Sequence, residues 1–506
     1  MNGMSARQDS NRSGMVPIVV IAGFSGFAGL GYEIVWTRLL ANSFGHEIVA
    51  VLGVLAALFG GLALGSLLFG RRIAASARPG IWYAGLEFAI GVWALASIAL
   101  LPALGGLVPV LTPVDASPLR LWSCAFAVPF LVLLPATLAM GATLPALEAI
   151  LAPRVRAGCA VGWVYGANTF GAVAGTLATT FWLIPAVGLS RTLASLAMVN
   201  LACAIAMAAY RRTATILRVA PGLSPIARPK PSNRLISLFL TGLLGIGYEV
   251  IAIRTLSQIM ENTVYTFAAL LSVYLLGTAL GAALHGRFAR RGEKGRLDVG
   301  LAVAVSLCCV GGTVALGHAD DVLNALRGLL ASNSMAAVVA TELGIAAVVF
   351  LLPTVAMGAL FTHLAQASRD HDGTLGPALA ANTAGAALAP MLFGPLLLPL
   401  LGAKLALIFI AIGYAVVAPS WRWLELVPRA AAVAAALALL VSPISLRFVQ
   451  IPPGGAVEWH RDGTMAAVSV VRDRAGDRHL EVNNHFRMGG TASIRVDAST
   501  ANRSRR

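Results

Sequence analysis

Gly31-Tyr32-Glu33-Ile34 returns as Gly247-Tyr248-Glu249-Val250, 216 residues further along the chain (33 to 249). The same spacing relates Arg38 to Arg254, Gly61 to Gly277, Gly65 to Gly281, Gly70 to Gly286 and Arg71 to Arg287. Beyond these helices the order persists with small changes of offset. Pro135, Met140 and Gly141 answer to Pro353, Met357 and Gly358. Ala167-Asn168-Thr169 with Gly171 answers to Ala381-Asn382-Thr383 with Gly385, and Pro185 and Gly188 to Pro399 and Gly402. A register held over this much sequence marks an internal duplication.

Composition says what was duplicated. Of 506 residues, 58% are apolar and 12% are charged, against about 25% charged in a soluble domain. A soluble globular enzyme, a disordered chain and a fibrous protein are excluded. A β-barrel is excluded too, because its strands alternate apolar and polar residues, whereas the apolar runs here are continuous. Each run of about 20 such residues reads as a membrane-spanning helix. Six lie near 16–40, 47–70, 82–104, 121–150, 161–187 and 190–210, and six more near 235–259, 264–286, 298–318, 334–364, 376–402 and 403–419. An Ala-rich run at 430–446 reads as one extra span. The domains expected are therefore an N-terminal tail (1–15), a first repeat (16–210), a basic connection (211–234), a second repeat (235–420), the extra span (430–446) and a polar tail (451–506). The first apolar run is too long for a cleaved signal peptide and reads as retained.

An even number of spans gives both halves the same orientation. That is a parallel repeat about an axis along the membrane normal, as in the two halves of major-facilitator transporters. The fold class expected is an all-α polytopic membrane protein of two parallel six-helix repeats, one extra span and a short β-hairpin tail.

The formal charge is +15, and its placement explains it. One alternate set of connections carries Arg71, Arg72, Arg78, Arg154, Arg156, the basic residues of 211–234, Arg287, Arg290, Arg291, Lys294, Arg296, Arg369, Arg422 and Arg429. The other set holds little beyond Arg120, Arg191, Arg327 and Lys404. This asymmetry puts the N-terminus and central connection in the cytoplasm of a cell with an inner membrane, and the extra span puts the tail outside. Aromatic residues do not interleave with the basic ones, so no nucleic-acid partner is expected; the expected partner is the lipid bilayer. The five cysteines form no CxxC spacing, so neither a disulfide framework nor a zinc site is expected.

Glu33 and Glu249 are the sharpest chemical signals. A carboxylate inside an apolar span is costly and faces the bundle interior, and the repeat would set the two across a central cleft. They suit a small organic cation or a proton; alternatively each is structural, paired from a neighbouring helix. Arg38 and Arg254, the candidate charge partners, lie about 140° around the helix from the acids and are poor same-helix partners. Tyr32 and Tyr248 precede the acids and are candidates to stack on a bound cation, or else interfacial anchors. Asn168 and Asn382, flanked by small residues, read as polar bridges between closely packed helices. Glu87 and Glu342 have no counterpart in the repeat and read as proton sites or satisfied interior acids. His46 and Glu47 read as a solvated pair in a short loop. No HExxH, GxSxG, P-loop or dinucleotide motif occurs, so no catalytic residue, metal ligand or cofactor is expected.

The tail has a hairpin pattern. Ala466–Val471 alternates weakly, Ala475-Gly476-Asp477 is a turn, Leu480 and Val482 alternate with polar residues, and Asn483-Asn484 is a second turn. Together with Gly31-Tyr32-Glu33-Ile34-Val35-Trp36-Thr37-Arg38 and Ala167-Asn168-Thr169-Phe170-Gly171, the tail segments Ala466–Val471, Leu480–Asn484 and Met488-Gly489-Gly490-Thr491 carry a resemblance. The chain resembles the fused membrane-type spermidine synthases, in which a major-facilitator-like region precedes a polyamine aminopropyltransferase domain. That resemblance implies a polyamine as the cation. It also implies a Gly-rich nucleoside loop and a catalytic Asp, neither of which this sequence contains. Where the family places a Gly and a substrate-side Gln, Asn484 and Arg487 stand. The expectation is a truncated catalytic domain, or a separately encoded aminopropyltransferase domain as partner; an anchoring scaffold is the further alternative.

Overall fold

The computed structural model describes residues 15–113, 115–151, 157–213, 233–260, 264–288, 294–330, 334–372, 375–418, 423–484 and 486–491. Most of the N-terminal tail and of the basic connection lie outside the described residues, as do Arg154, Arg156, Arg290, Arg291 and Arg422, the side chain of Arg487 and the last residues of the tail.

The first half comprises α1 (Val16–Phe44), α2 (Glu47–Ala74), α3 (Pro79–Leu111), α4 (Pro118–Leu151), α5 (Ala157–Ala178) and α6 (Ile184–Thr213). The second comprises α7 (Asn233–Leu256), α8 (Val264–Phe288), α9 (Lys294–Gly317), α11 (Met335–Asp372), α12 (Gly376–Leu392) and α13 (Leu398–Val416), with a short α10 (Ala319–Leu330) between α9 and α11. The helices are apolar nearly all round, which suits elements solvated by lipid on one side and by one another on the other. Phe24, Phe88, Leu131, Trp182 and Leu352 point outward. α10 differs: it is amphipathic, and it lays Leu323 and Leu326 against the bundle.

Packing repeats between halves. α1 packs on α5 as α7 does on α12, α2 on α4 as α8 on α11, and α3 on α6 as α9 on α13. The halves meet through α2 with α12 and α5 with α8. Asn168 Nδ2 donates to the Ala22 carbonyl at 3.2 Å, and Asn382 Nδ2 donates to the equivalent Leu238 carbonyl at 3.1 Å. Gly26 and Gly242 make these crossings possible, since a Cβ on either would collide with the backbone carbonyl of the facing Asn.

The duplication extends to irregular backbone. Among the described residues, ten helical stretches are long and apolar enough to cross a membrane, and two of them, Val164–Tyr210 and Gly376–Val416, hold 47 and 41 residues. Straight, they would run about 70 and 60 Å, twice the hydrocarbon thickness of about 30 Å. Each instead passes through a π turn, Thr179–Leu183 or Phe393–Leu397. Each then breaks at a glycine with positive φ, Gly188 (φ 78°, ψ 172°) or Gly402 (φ 77°, ψ 166°), a conformation open to glycine and strained for residues with a Cβ. α5 packs parallel to α1, Gly171 meeting Gly23 and Gly175 meeting Phe27. α6 packs antiparallel to α1, Asn200 meeting Tyr32 and Cys203 meeting Ile21. The chain therefore reverses at Gly188, and likewise at Gly402, which gives six crossings per half.

α14 (Trp423–Val441) packs on α9 and α13. Arg429 near its start donates to the carbonyl of Ala418, just beyond the end of α13, while Lys404 near the start of α13 donates to the carbonyls of Ser442 and Ile444. α14 thus runs antiparallel to α13 over its full length, about 28 Å. It delivers the tail to the face on which α1 and α7 end, opposite the N-terminus. The tail is a four-stranded antiparallel meander in the order β1-β2-β3-β4: β1 (Ala456–Asp462), β2 (Ala467–Arg472), β3 (Arg478–Val482) and β4 (Phe486–Gly490). Gly476 and the positive-φ pair Asn483 and Asn484 turn the chain between strands. β1 and its pairing with β2 add a strand to the expected hairpin pattern.

Candidate functional site

A cavity lies between the halves. The repeated helices α1 and α7 contribute Glu33, Ile34, Thr37, Arg38 and Ala41 on one side and Glu249 and Ile253 on the other; α2 and α8 complete the wall with Glu47, Val51, Leu55, Phe267 and Leu271. Glu33 and Glu249 are 6% and 2% exposed and line the same cavity. Among the described residues neither carboxylate has a hydrogen-bond or ion-pair partner. An unpaired ionised carboxylate buried in this way costs several kcal/mol, by order of magnitude, unless it takes up a proton or a cation.

Arg38 shares the cavity, but its guanidinium is paired with Glu47. The expected solvated His46–Glu47 pair is therefore corrected. The connection after α1 is so short that Glu47 opens α2 directly and faces the cavity, while His46 caps that helix, its Nδ1 accepting from the Ile48 N–H at 3.2 Å. Burial and the nearby Arg254 guanidinium hold the His46 imidazole below its usual pKa.

Arg254 is not a charge partner of Glu249. Its Nε donates to the carbonyls of Gly463 and Thr464 at 3.2 and 3.1 Å, Nη1 to Ser257, and Nη2 to Asn483 Oδ1 at 3.1 Å. It ties the β1–β2 and β3–β4 turns to the end of α7. Thr464 Oγ1 in turn donates to the Gly394 carbonyl at 3.0 Å. The turn roofs a second, smaller chamber, lined by Ile48, Leu52, Val250, Leu398, Arg254 and Thr464, which shares Val51, Leu55, Ile253 and Phe267 with the first.

The two tyrosines fall outside the cavity lining. Both are fully buried, which also corrects the interfacial-anchor alternative. One residue along a helix is about 100° around it, so a Tyr beside an inward Glu faces a neighbouring helix. Tyr32 stacks on Trp36 with ring centroids 5.1 Å apart and donates to Asn200 Oδ1 at 2.6 Å. Tyr248 donates to the Val349 carbonyl at 3.0 Å and meets Phe350 edge-on. Glu87 is the centre of the Tyr32 network: Asn200 Nδ2 donates to one of its oxygens and Ser25 Oγ, at 2.6 Å, to the other. It is a satisfied interior acid. Glu342 accepts from Thr266 Oγ1 at 2.9 Å.

Three features were missed from sequence. Tyr274 of α8 meets Phe350 edge-on and reaches Gly245 of α7, one turn before Glu249; an isolated Tyr in an apolar run carries no signal of that. Glu148 of α4 and Arg369 of α11 form a 3.0 Å ion pair between the halves at the N-terminal face, opposite the tail. Near the same face, His363 Nε2 meets Asp298 Oδ1 at 2.5 Å, and His285 packs edge-on to His363 at 5.1 Å. No group of three potential metal ligands is arranged to hold an ion among the described residues.

No family model matches the sequence, and no curated protein matches it. Solved structures align along most of its length at low identity. A bacterial homolog to the human lysosomal transporter Spinster, in an inward-facing and occupied conformation, is 15% identical; 86% of this chain and 97% of that chain are covered, with a TM-score of 0.43. The same homolog in an inward-facing and unoccupied conformation is 15% identical over 85% of this chain and 95% of that one, also at 0.43. The POT family transporter PepTSo is 11% identical over 85% and 97%, at 0.40. What the chain's own architecture defines is a multi-pass membrane protein with two parallel six-helix halves and a cavity between them.

Proposed function

We propose that this protein is a membrane transporter for a small organic cation, bound between Glu33 and Glu249. The observation that carries the reading is the pair of buried, unpartnered carboxylates in one cavity at the interface of two duplicated halves. With Arg38 paired to Glu47, Glu33 and Glu249 are the acids of the inner wall left to meet a cation, and its remaining walls are mostly apolar. That favours an organic cation over a hydrated metal ion, which would need more oxygen donors. The Glu148–Arg369 bridge closes the N-terminal face between the halves, so access from that side requires it to open. The charge of the connections supports N-terminal residues in the cytoplasm, and the extra span at 430–446, if it crosses, carries the tail to the outside. A polyamine belongs to this substrate class and is the member that the resemblance implies. The aminopropyltransferase reading rests on the tail sheet and adds no residue to the cavity.

Proteoliposomes loaded with the purified chain and supplied with radiolabelled tetraethylammonium test the proposal. Saturable uptake is expected, reduced at least ~10-fold by Glu33→Gln with Glu249→Gln, since an intramembrane cation loses its counter-charge. Equal uptake by both proteins would overturn it.

A further inference from the structure

The inner and outer chambers are adjacent but chemically unlike. They share the wall residues Val51, Leu55, Ile253 and Phe267. Carboxylates line only the inner one. The outer one is walled by Ile48, Leu52, Val250 and Leu398, and its charged wall residue is Arg254. A guanidinium there repels a second cationic centre, and burial of the aliphatic walls rewards hydrocarbon. Phe267 stands where the chambers join, beside the place a cationic head would take.

Resting on the cation reading above, we infer that the ligand is a single-ended amphiphile: one cationic head held at Glu33 and Glu249, and an uncharged alkyl body lying in the outer chamber beneath Thr464. A chain charged along its length, as a linear polyamine is, meets Arg254 at its far end. The preference for one charged end over two is set by the unequal chambers and not by the acids.

The full chain in lipid nanodiscs, titrated calorimetrically with quaternary ammonium ions, decides this. The Glu33→Gln/Glu249→Gln protein in identical discs serves as the blank for partitioning into lipid. Tetramethylammonium, butyltrimethylammonium and hexyltrimethylammonium should bind progressively tighter, by up to ~4-fold per methylene buried. Hexamethonium, of the same alkyl length but charged at both ends, should bind at least ~10-fold more weakly than hexyltrimethylammonium. Ile48→Asp sets a negative charge in the outer chamber at the first turn of α2, where an acid is favourable to the helix. It should bring hexamethonium level with hexyltrimethylammonium. If hexamethonium binds the unmodified chain as tightly as the single-ended ion, or if affinity is flat with chain length, the amphiphile assignment falls and the cation site stands. If no ion binds more tightly to the unmodified chain than to the double Gln protein, the cation site itself falls.

Discussion

The two halves of this molecule share one ancestral bundle but fill it differently. Where they agree, the feature serves the bundle. Asn168 and Asn382 make the same bond to the same carbonyl position, Gly188 and Gly402 break the chain with φ within a degree of each other, and both π turns fall just before those breaks. Where they differ, the feature serves one half alone. Tyr32 of the first half ends in an Asn200–Glu87–Ser25 network, whereas Tyr248 of the second ends on a backbone carbonyl and an aromatic edge. Phe69 and Trp82 pack as rings, and the positions 216 residues on hold His285 and Asp298, joined through His363. Arg38 pairs with an acid, and Arg254 holds the tail. Shared geometry marks what packing demands, and divergence marks where a half acquired its own task.

The largest expected effect breaks the comparison at Glu87. Glu87→Ala orphans the buried donors of Ser25 and Asn200 and is expected to cost ~3 kcal/mol. Val303→Ala, at the equivalent position of the second half, removes two methyl groups and should cost ~1 kcal/mol. Denaturant unfolding in detergent measures both; equal losses would mean that the first-half network carries no special share of stability. Next comes the divergent arginine pair. Arg254→Ala removes the donors of two turns and should weaken tail docking by ~2 kcal/mol, about 30-fold in opening. Trypsin cleavage near Arg472–Arg478 would report it as faster proteolysis, while Arg38→Ala should leave that rate unchanged.

Much of the shared layer was legible in the sequence, because lipid leaves few alternatives. Long apolar runs must be helices, and small residues beside Asn168 and Asn382 signal close crossings. Glu33 and Glu249 stood out for the same reason, a carboxylate being conspicuous in an apolar run. The divergent layer was not legible. Glu87 finds Ser25 and Asn200 from spans 62 and 113 residues away, and no local pattern announces such meetings. The direction of Tyr32 depends on helix rotation and not on its neighbour Glu33. The π turns Thr179–Leu183 and Phe393–Leu397 have the same backbone from unlike sequences, TTFWL and FGPLL, so only the fold reveals that they correspond. The role of Arg254 required knowing that α14 returns the tail to the α7 end.

Two smaller effects sharpen the comparison. Asn168→Ala and Asn382→Ala should each cost ~0.6–1 kcal/mol, the usual worth of an interhelical bond within a membrane, and should agree within ~0.5 kcal/mol; a large inequality would show that the repeated bond is not energetically repeated. The smallest effect concerns His46, which lies against Arg254 at the divergent end. Its folded pKa is held below the ordinary 6.5, so the unfolded chain takes up a proton first as pH falls. Stability is therefore full above about pH 6.5 and declines as pH drops from there toward the folded value. Protonation also costs the cap, since only the unprotonated Nδ1 accepts from the Ile48 N–H. His46→Asn keeps a capping acceptor without a titrating ring. Comparing thermal unfolding at pH 8 and pH 5.5, the variant should lose about a degree less than the parent. A parent and variant with the same pH dependence would show that Arg254 and burial leave His46 energetically silent.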